Sequence, residues 1–171
     1  MKRSANESLS VRDATEADLD VLMRLKPSLA VHRDRLRDAC QPGFRYLVLE
    51  DKESVIGFVC LVFVRPSYWS DGNSTEQLPT AIDFLIDAPL RSRGYGSFLL
   101  RAVEKLAAAS EAKQLYLWVD PILNPRAYAL YRRLGYQPLQ EHPYPFHWEF
   151  VDSEGHLHSG DTWRLDMVRS L

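Results

Sequence analysis

The stretch Arg91-Ser92-Arg93-Gly94-Tyr95-Gly96 lies between an apolar run, Ile82–Ile86, and a helical pattern over Tyr95–Ala109. A strand, a glycine-rich turn and a helix start bind phosphate well, because the first N–H groups of a helix lack intrahelical partners and the helix dipole is positive there. Glycine lets the backbone approach an anion without a Cβ in the way, and Arg91 and Arg93 add positive charge. The stretch therefore predicts a phosphate-binding loop.

Two other phosphate loops do not fit this stretch. A Walker A loop requires G-x-x-x-x-G-K-[ST], and that string does not occur in the chain. A Rossmann fingerprint requires a third glycine after G-x-G, where this chain has Ser97, Phe98 and Leu99. The loop also lies in the middle of the chain, after several strand-like segments. Both alternatives are therefore disfavoured.

A second motif, Asn124-Pro125-Arg126-Ala127-Tyr128-Ala129-Leu130-Tyr131-Arg132-Arg133-Leu134-Gly135-Tyr136, follows about 30 residues later. Asn124 suits a helix N-cap and Pro125 the first helical position. An apolar face at helical spacing is formed by Ala127, Leu130, Tyr131 and Leu134. Gly135 suits the left-handed residue just after a helix. The motif therefore predicts a helix over Pro125–Leu134.

Together, the patterns R-x-x-G-x-G and N-x-x-A-x-x-L-Y-x-x-x-G-[FY] resemble the GNAT superfamily of acyl-CoA-dependent N-acetyltransferases. The resemblance is specific over Ala81–Leu139, roughly a third of the chain, and before that only the order of elements agrees. It implies a GNAT-like α/β fold of the α+β type, with a central mixed sheet of about seven strands and helices on both faces. It also implies that the strands at 80–86 and 115–119 run parallel and splay apart to admit the pantetheine arm of CoA.

The resemblance implies acetyl-CoA as co-substrate and no metal. It assigns backbone contacts with CoA to Leu85 and Ile86, for which core packing is the alternative explanation, and both can hold together. Asn124 matches the family asparagine that often bonds the pantetheine arm, although helix capping alone explains it. Arg91 and the loop complete the implied site, whose pyrophosphate would lie on the amides of Arg93, Gly94, Tyr95, Gly96 and Ser97.

Tyr131 matches the tyrosine that acts in many members of the family as general acid toward the CoA sulfur. A phenol with an ordinary pKa near 10 keeps its proton at neutral pH and can donate it. Packing on the apolar face of the helix is the alternative explanation. Tyr128, one turn earlier, is expected only to pack or to line the substrate.

The general base is less well marked, because the family has no fixed base. Three carboxylates are candidates, and we place Asp83 first as the catalytic residue, beside Asp120 and Glu76. The neighbours Ile82, Phe84 and Ile86 predict one apolar face, which leaves open that Asp83 is simply exposed. Asp120 also fits a turn before a proline.

The bulk composition is ordinary for a soluble globular protein, with 171 residues, 46% hydrophobic and 26% charged. This length predicts a single domain over residues 1–171. The net charge is −2, so there is no overall positive charge that would favour binding to nucleic acid. No signal peptide and no apolar run of membrane-spanning length is visible, so we expect a cytoplasmic protein without a membrane partner.

Hydrophobic patterning predicts the element order β-α-α-β-β-β-α-β-α-β-β, with a capping box at Thr15–Asp18 and a long loop over Arg65–Pro79. The elements predicted before the phosphate loop are Leu9–Asp13, a helix to about Lys26, Ala30–Cys40, Tyr46–Glu50, Val55–Val64 and Thr80–Ile86. Those after it are Tyr95–Ala109, Leu115–Val119, Pro125–Leu134 and strands within Tyr136–Leu171 with a turn near Asp152–Gly155.

Other polar clusters are weaker signals. The spacing of four late histidines fits no structural zinc pattern, so we expect solvent-facing positions for His142, His147, His156 and His158. Arginine and aspartate alternate over residues 33–38, which is typical of a solvated helix face. Cys60 lies in an apolar run and is expected to be a buried thiol, and neither it nor Cys40 is marked as a nucleophile.

We expect transfer of an acetyl group to the primary amine of a small molecule. A protein N-terminal or lysine acetyltransferase and a non-catalytic acyl-CoA-binding module stay open as alternatives. The acceptor site is predicted between Arg65–Pro79 and Glu141–Gly160, with Tyr144 and Trp148 as an apolar wall and Glu76 or Asp83 attracting a cationic amine. The C-terminal aromatic residues also fit packing onto the sheet or a homodimer interface.

Overall fold

The computed structural model describes residues 8–64 and 78–171. Most of the loop predicted over Arg65–Pro79, including Glu76, lies outside these residues. Within the described residues, no helix is long and apolar enough to cross a membrane.

Residues 8–64 form three strands and two short helices. A capping box at Thr15 and Asp18 opens a 3-10 turn that leads into the first helix, as predicted. The bounds are β1 (Leu9–Asp13), α1 (Leu19–Leu25), α2 (Leu29–Asp38), β2 (Phe44–Asp51) and β3 (Ser54–Val62).

From residue 78 onward the structure adds five strands and two helices. The bounds are β4 (Thr80–Ile86), α3 (Tyr95–Ala109), β5 (Gln114–Val119), α4 (Pro125–Arg133), β6 (Gln137–Pro138), β7 (Tyr144–Val151) and β8 (Leu157–Ser170). The predicted bounds of β4 and α3 are confirmed, and the last segment consists of strands with a turn between β7 and β8.

The strands form one mixed sheet in the order β1-β2-β3-β4-β5-β8-β6, with β7 paired to β8. Only β4 and β5 are parallel neighbours among the described strands, and the other pairs are antiparallel. The described residues contribute eight strands to the sheet, rather than the seven or so predicted. The mixed α/β fold with helices on both faces is confirmed.

Each face of the sheet buries its own apolar cluster. On one face α3 and α4 pack onto the sheet through Leu99, Leu100, Val103 and Tyr131. On the other face α1 and α2 cover a cluster that includes Leu22, Leu36, Phe58 and Val62. The third helix shows why the sequence folds this way, because its buried residues recur at helical spacing and bury a continuous stripe.

The parallel strands β4 and β5 separate almost at once. They share one ladder pair, Thr80 with Tyr116, and no further pair joins the described strands beyond it. A gap therefore opens between the carboxyl-terminal parts of two neighbouring strands, as the resemblance implied. In open sheets of this kind, ligands bind at the carboxyl ends of strands where the pairing is interrupted.

Candidate active site

A bulge in β4 sets the direction of the side chains beside the gap. Phe58 of β3 pairs with Leu85, and Cys60 two residues later pairs with Ile82, so β4 carries one extra residue. Asp83 lies in the bulge with a φ of 52°, in the left-handed region that aspartate tolerates better than most residues. An extra residue shifts the alternation of a strand. Ile82 therefore packs with the α1–α2 cluster, while Phe84 packs on the opposite face.

Asp83 is paired rather than simply exposed. Its carboxylate accepts a hydrogen bond from the Arg35 Nε at 2.8 Å and lies 3.8 Å from the Lys26 Nζ. Burial alone would raise the pKa of Asp83, but the charges of Arg35 and Lys26 outweigh it and lower the pKa below 3.8. The prediction of one apolar face over Ile82–Ile86 is wrong, because the bulge was not visible in the sequence.

The prediction of a solvated face on α2 is also wrong for three of its charged residues. Asp34 and Asp38 are buried, and only 14% of the Arg35 side chain is exposed. Arg33 and Arg37 are exposed as predicted. The alternating charges turn inward because Arg35 reaches Asp83 in the sheet, and because Asp34 accepts a hydrogen bond from the Ser153 N–H.

The predicted phosphate loop has the geometry of an anion site. Gly94 precedes α3 with a φ of +91°, and a Cβ built on it would meet no atom within 4 Å. The first helical hydrogen bond runs from the Phe98 N–H to the Gly94 oxygen at 3.0 Å. The N–H groups of residues 95–97 precede that bond and therefore lack helical acceptors. No acidic residue lies in the first turn of the helix.

Gly96 is explained by packing and not by open space. A Cβ on Gly96 would lie 3.1 Å from Leu130 Cδ2 and 3.2 Å from Phe84 Cζ. The absence of a side chain lets α3 approach both α4 and β4. Of the two loop glycines, only Gly94 has open space at the position of a Cβ.

The arginines around the loop have separate positions. The Arg91 Nε donates to the Ile86 oxygen at 3.0 Å and ties the loop to the end of β4, whereas Arg93 is exposed. A third cation, Arg133 at the end of α4, lies 3.5 Å from the Ser97 hydroxyl. Sequence reasoning missed Arg133, because its proximity to the loop depends on how α4 packs beside α3.

The other predicted contacts with CoA flank the gap. Ile86 is buried with the α3–α4 cluster and Leu85 packs with the α1–α2 cluster, so the core-packing explanation of both is confirmed. The Tyr95 hydroxyl donates to Asp51 at 3.1 Å and fixes the loop against β2. Asn124 is exposed and its side chain makes no capping hydrogen bond. Side-chain capping therefore does not explain the asparagine.

Tyr131 lies on the α3–α4 side of β4. Its ring centroid is 6.1 Å from that of Phe84 and 5.9 Å from that of Tyr136, and 6% of the residue is exposed. Burial raises the pKa of the phenol, with no hydrogen bond or charge from the described residues contributing. The hydroxyl therefore keeps its proton at all physiological pH values. Tyr128 is only half-buried, as expected for a packing residue.

A cavity of about 590 Å³ opens on the α1–α2 face of the gap. Both strands of the gap reach it, β4 through Thr80, Ile82 and Asp83 and β5 through Trp118. The opposite wall is the aromatic face of β7, where Phe146, Trp148 and Phe150 point inward between exposed neighbours. Of the two residues predicted as the apolar wall of the acceptor site, Trp148 lines this cavity, whereas Tyr144 does not and instead hydrogen-bonds Asp166.

A buried charged cluster borders the cavity through Arg164 and was missed by sequence reasoning. The Arg164 Nε donates to Asp166 at 2.7 Å, and its guanidinium carbon lies 4.6 Å from the Phe146 ring centroid. The Tyr116 and Tyr144 hydroxyls also donate to Asp166. Burial would raise the pKa of Asp166, but the hydrogen bonds from Tyr116 and Arg164 lower it. Residues two apart in a strand lie on the same face, so the sequence of β8 places Arg164 and Asp166 on one face. This spacing was the only feature of the sequence that could have indicated the cluster.

Asp120 has a structural role, because its carboxylate connects the turn after β5 to β8. Its buried carboxylate accepts hydrogen bonds from the N–H groups of Ile122, Leu123 and Trp163 and from the Thr162 hydroxyl. Burial would raise the pKa of Asp120, but these donors lower it. With its lone pairs engaged, this carboxylate is poorly suited to accept a proton from substrate.

The late histidines do not assemble a metal site within residues 8–64 and 78–171, where no group of three or more suitable ligands occurs. His158 is half-buried rather than solvent-facing, because it stacks on Phe150 and hydrogen-bonds Asp152 at 2.7 Å. His142, His147 and His156 are exposed, as predicted. Cys60 is a buried free thiol, as expected, and Cys40 is an exposed one.

Three solved structures illustrate the relatives of this fold. Ribosomal-protein-alanine N-acetyltransferase from Brucella melitensis is 22% identical, with a TM-score of 0.66 over 95% of this chain and 99% of that one. Spermidine N-acetyltransferase from Vibrio cholerae, in complex with CoA and spermine, is 19% identical, with a TM-score of 0.67 over 96% of each chain. IAA acetyltransferase from Bacillus cereus ATCC 14579 is 18% identical, with a TM-score of 0.62 over 96% of this chain and 100% of that one.

At these identities the structural neighbours establish a common fold and nothing about substrate. A comparison with curated proteins finds no significant match. The acetyltransferase (GNAT) family, in contrast, matches residues 11–136, which is well over half of the chain and spans the gap, the loop and α4. The chain therefore belongs to the GNAT family of acetyltransferases.

Proposed function

We propose that this acetyltransferase transfers the acetyl group of acetyl-CoA to the primary amine of a small molecule. One observation carries the proposal: the gap between β4 and β5 lies between an anion-suited loop on the α3 side and a cavity on the α1–α2 side. The cavity volume of about 590 Å³ falls within the range of small-ligand pockets. Two substrates entering from opposite faces would meet at the gap.

The CoA side of the proposed site is built from main chain and cations. The residues that would hold the pyrophosphate are Arg93, Gly94, Tyr95, Gly96 and Ser97, with Arg91 and Arg133 beside them. The unpaired N–H groups at the start of α3 and the open space at Gly94 fit an anion. Leu85, Ile86 and Asn124 flank the gap and are proposed to contact the pantetheine arm. Acetyl-CoA, when bound, supplies the acetyl group as an activated thioester.

Tyr131 is proposed as the proton donor. Acyl transfer to an amine leaves a thiolate, which needs a proton or a hydrogen bond. The phenol is protonated, its pKa is raised by burial, and it makes no hydrogen bond with the described residues that would compete for its proton. It lies against Phe84 beside the gap, on the side from which CoA would enter.

Asp83 is the carboxylate at the acceptor side of the gap, and its role as general base stays a prediction. Its ion pair with Arg35 holds it ionised and lowers its pKa, which makes it a weak proton acceptor. We infer that its larger contribution is to neutralise Arg35 and Lys26 in the cavity wall.

Replacing Asp83 by asparagine is expected to lower the free energy of unfolding by about 2 kcal/mol, because it leaves the Arg35 charge without its closest partner. The pair retains some solvent contact, so the full cost of a buried charge is not expected. Since the folded pKa is depressed, this stabilisation is present above the ordinary pKa of 3.8 and is lost as the pH falls through the lower folded value. Urea unfolding of wild type and Asp83→Asn at several pH values measures this difference in unfolding free energy.

The matched control is Asp87→Asn, because Asp87 pairs with the exposed Arg24 at 3.9 Å and should contribute little. For catalysis we expect kcat of Asp83→Asn to fall by less than about tenfold. A fall of about 100-fold with a changed kcat–pH profile would instead identify Asp83 as the general base.

The function itself is tested by incubating the protein with acetyl-CoA and a panel of amines and peptides while free thiol is measured. Thiol release that depends on a small amine is the expected result. Release only with peptides would favour the protein N-terminal or lysine acetyltransferase instead. Tight acetyl-CoA binding without release for any acceptor would favour a non-catalytic binding module.

A further inference from the structure

The wall of the acceptor cavity is mainly aromatic. Trp118 contributes from β5, and the inward face of β7 contributes Phe146, Trp148 and Phe150. The Trp118 and Phe146 ring centroids are 6.4 Å apart, and those of Trp148 and Phe150 are 6.1 Å apart with an interplanar angle of 23°. These four side chains are called the aromatic wall below.

The aromatic wall is held in place by its neighbours. The indole of Trp148 covers Gly160 on the adjacent strand β8, where a Cβ would lie 2.8 Å from its Cζ2. Phe150 stacks on His158 with ring centroids 4.7 Å apart. Phe146 packs under the guanidinium of Arg164. Rings fixed in this way offer a preformed apolar surface to a flat ligand.

The carboxylates of the cavity wall are already neutralised. Asp83 is paired with Arg35 and Lys26, and Asp34 lies 3.0 Å from the Arg37 Nη1. Glu149 is the remaining carboxylate among the described lining residues, and it points outward with 67% of its side chain exposed. A ligand with several ammonium groups would have to be desolvated here without carboxylates of its own to pair with, which is costly.

We propose, on the basis of the proposed acetyl transfer, that the acceptor is an arylalkyl monoamine: one aromatic ring on a short chain that ends in one primary amine. The ring lies against the aromatic wall and the chain points toward the gap near Asp83. The amine must be neutral to attack, so it needs no carboxylate partner at that point. Polyamines are disfavoured, because the carboxylates among the described lining residues are paired and leave no excess negative charge there.

The experiment compares phenethylamine, ethylamine, spermidine and a short alanine peptide by thiol release from acetyl-CoA. We expect kcat/KM for phenethylamine to exceed that for ethylamine by about 30-fold. This ratio corresponds roughly to the free energy gained by burying one phenyl ring. The kcat/KM values for spermidine and for the peptide should not exceed the value for ethylamine by more than about threefold.

Variants of the wall separate ring binding from chemistry. Trp148→Ala is expected to lower the phenethylamine-to-ethylamine ratio by about tenfold, and Trp148→Leu, which still covers Gly160, by a smaller factor. The control is Trp163→Ala, since Trp163 is 46% exposed and lies outside the cavity lining. It should leave the ratio unchanged.

The outcomes distinguish this inference from the function on which it rests. A phenethylamine-to-ethylamine ratio below about threefold, or spermidine or the peptide as the best acceptor, overturns the arylalkyl assignment while acetyl transfer stands. An unchanged ratio in folded Trp148→Ala overturns it as well. No thiol release with any acceptor overturns the proposed function and the inference together.

Discussion

Replacing Tyr131 by phenylalanine is expected to lower kcat by about 100-fold or more, with little change in the affinity for acetyl-CoA. The substitution removes only the hydroxyl, and the ring contacts with Phe84 and Tyr136 remain. No described group hydrogen-bonds that hydroxyl, so its loss leaves no buried polar partner unsatisfied and stability should be preserved. Steady-state kinetics with saturating acetyl-CoA measure the effect.

The matched control for this experiment is Tyr128→Phe, one turn earlier on α4, which should leave kcat within about twofold. The pH dependence gives a second check. Because burial raises the pKa of Tyr131, the wild-type rate should not fall through loss of its proton near pH 10. If kcat of Tyr131→Phe stays within about twofold of wild type, Tyr131 is a core residue and another donor serves the thiolate.

The parts of this fold that the sequence predicted best are those specified by local signals. The bounds of β4 and α3 match the predictions, since an apolar run, a left-handed glycine and a helical apolar stripe all act within a few residues. The loop before α3 was predicted for the same reason. Gly135 has the predicted left-handed φ of +94° at the end of α4.

The errors lie where a residue depends on a distant strand or helix. The bulge at Asp83 arises from the pairing of β4 with β3, and alternation within β4 alone cannot reveal it. The ion pair of Asp83 with Arg35 spans 48 residues, so the charges of α2 resembled a solvated face. Helix periodicity places residues on faces, but it does not say which face meets a buried carboxylate.

The same limit applies to the candidate acceptor site. Trp148 of its wall was predicted, because aromatic residues lie close together in the C-terminal segment of the sequence. The cluster of Arg164, Asp166 and Tyr116 was not predicted, because Tyr116 and Asp166 are 50 residues apart in the sequence. Its burial follows from the pairing of β5 with β8, which local sequence does not encode. Residues that sheet pairing brings together could therefore be identified only from the structure.

Replacing Gly94 by aspartate is expected to raise the dissociation constant for acetyl-CoA by about 100-fold or more. Two like charges about 4 Å apart at an effective dielectric constant of about 20 repel by about 4 kcal/mol, which exceeds the free energy of a 100-fold loss. Gly94 is the suitable position, because a Cβ there meets no atom within 4 Å. At Gly96 a Cβ would lie only 3.1 Å from Leu130 and 3.2 Å from Phe84, so a substitution there would also disturb packing and its effect on binding could not be separated from its effect on folding.

Gly94→Asn is the matched control, since asparagine has the same shape as aspartate and tolerates the same left-handed φ at a similar cost of about 1 kcal/mol. Both variants should unfold at similar temperatures, and asparagine should weaken acetyl-CoA binding by about tenfold at most. Titration calorimetry gives both dissociation constants, and raising the salt concentration should narrow the difference between them. Equal affinities of the two folded variants would mean that no anion binds at the start of α3, and the proposed CoA site would have to lie elsewhere along the gap.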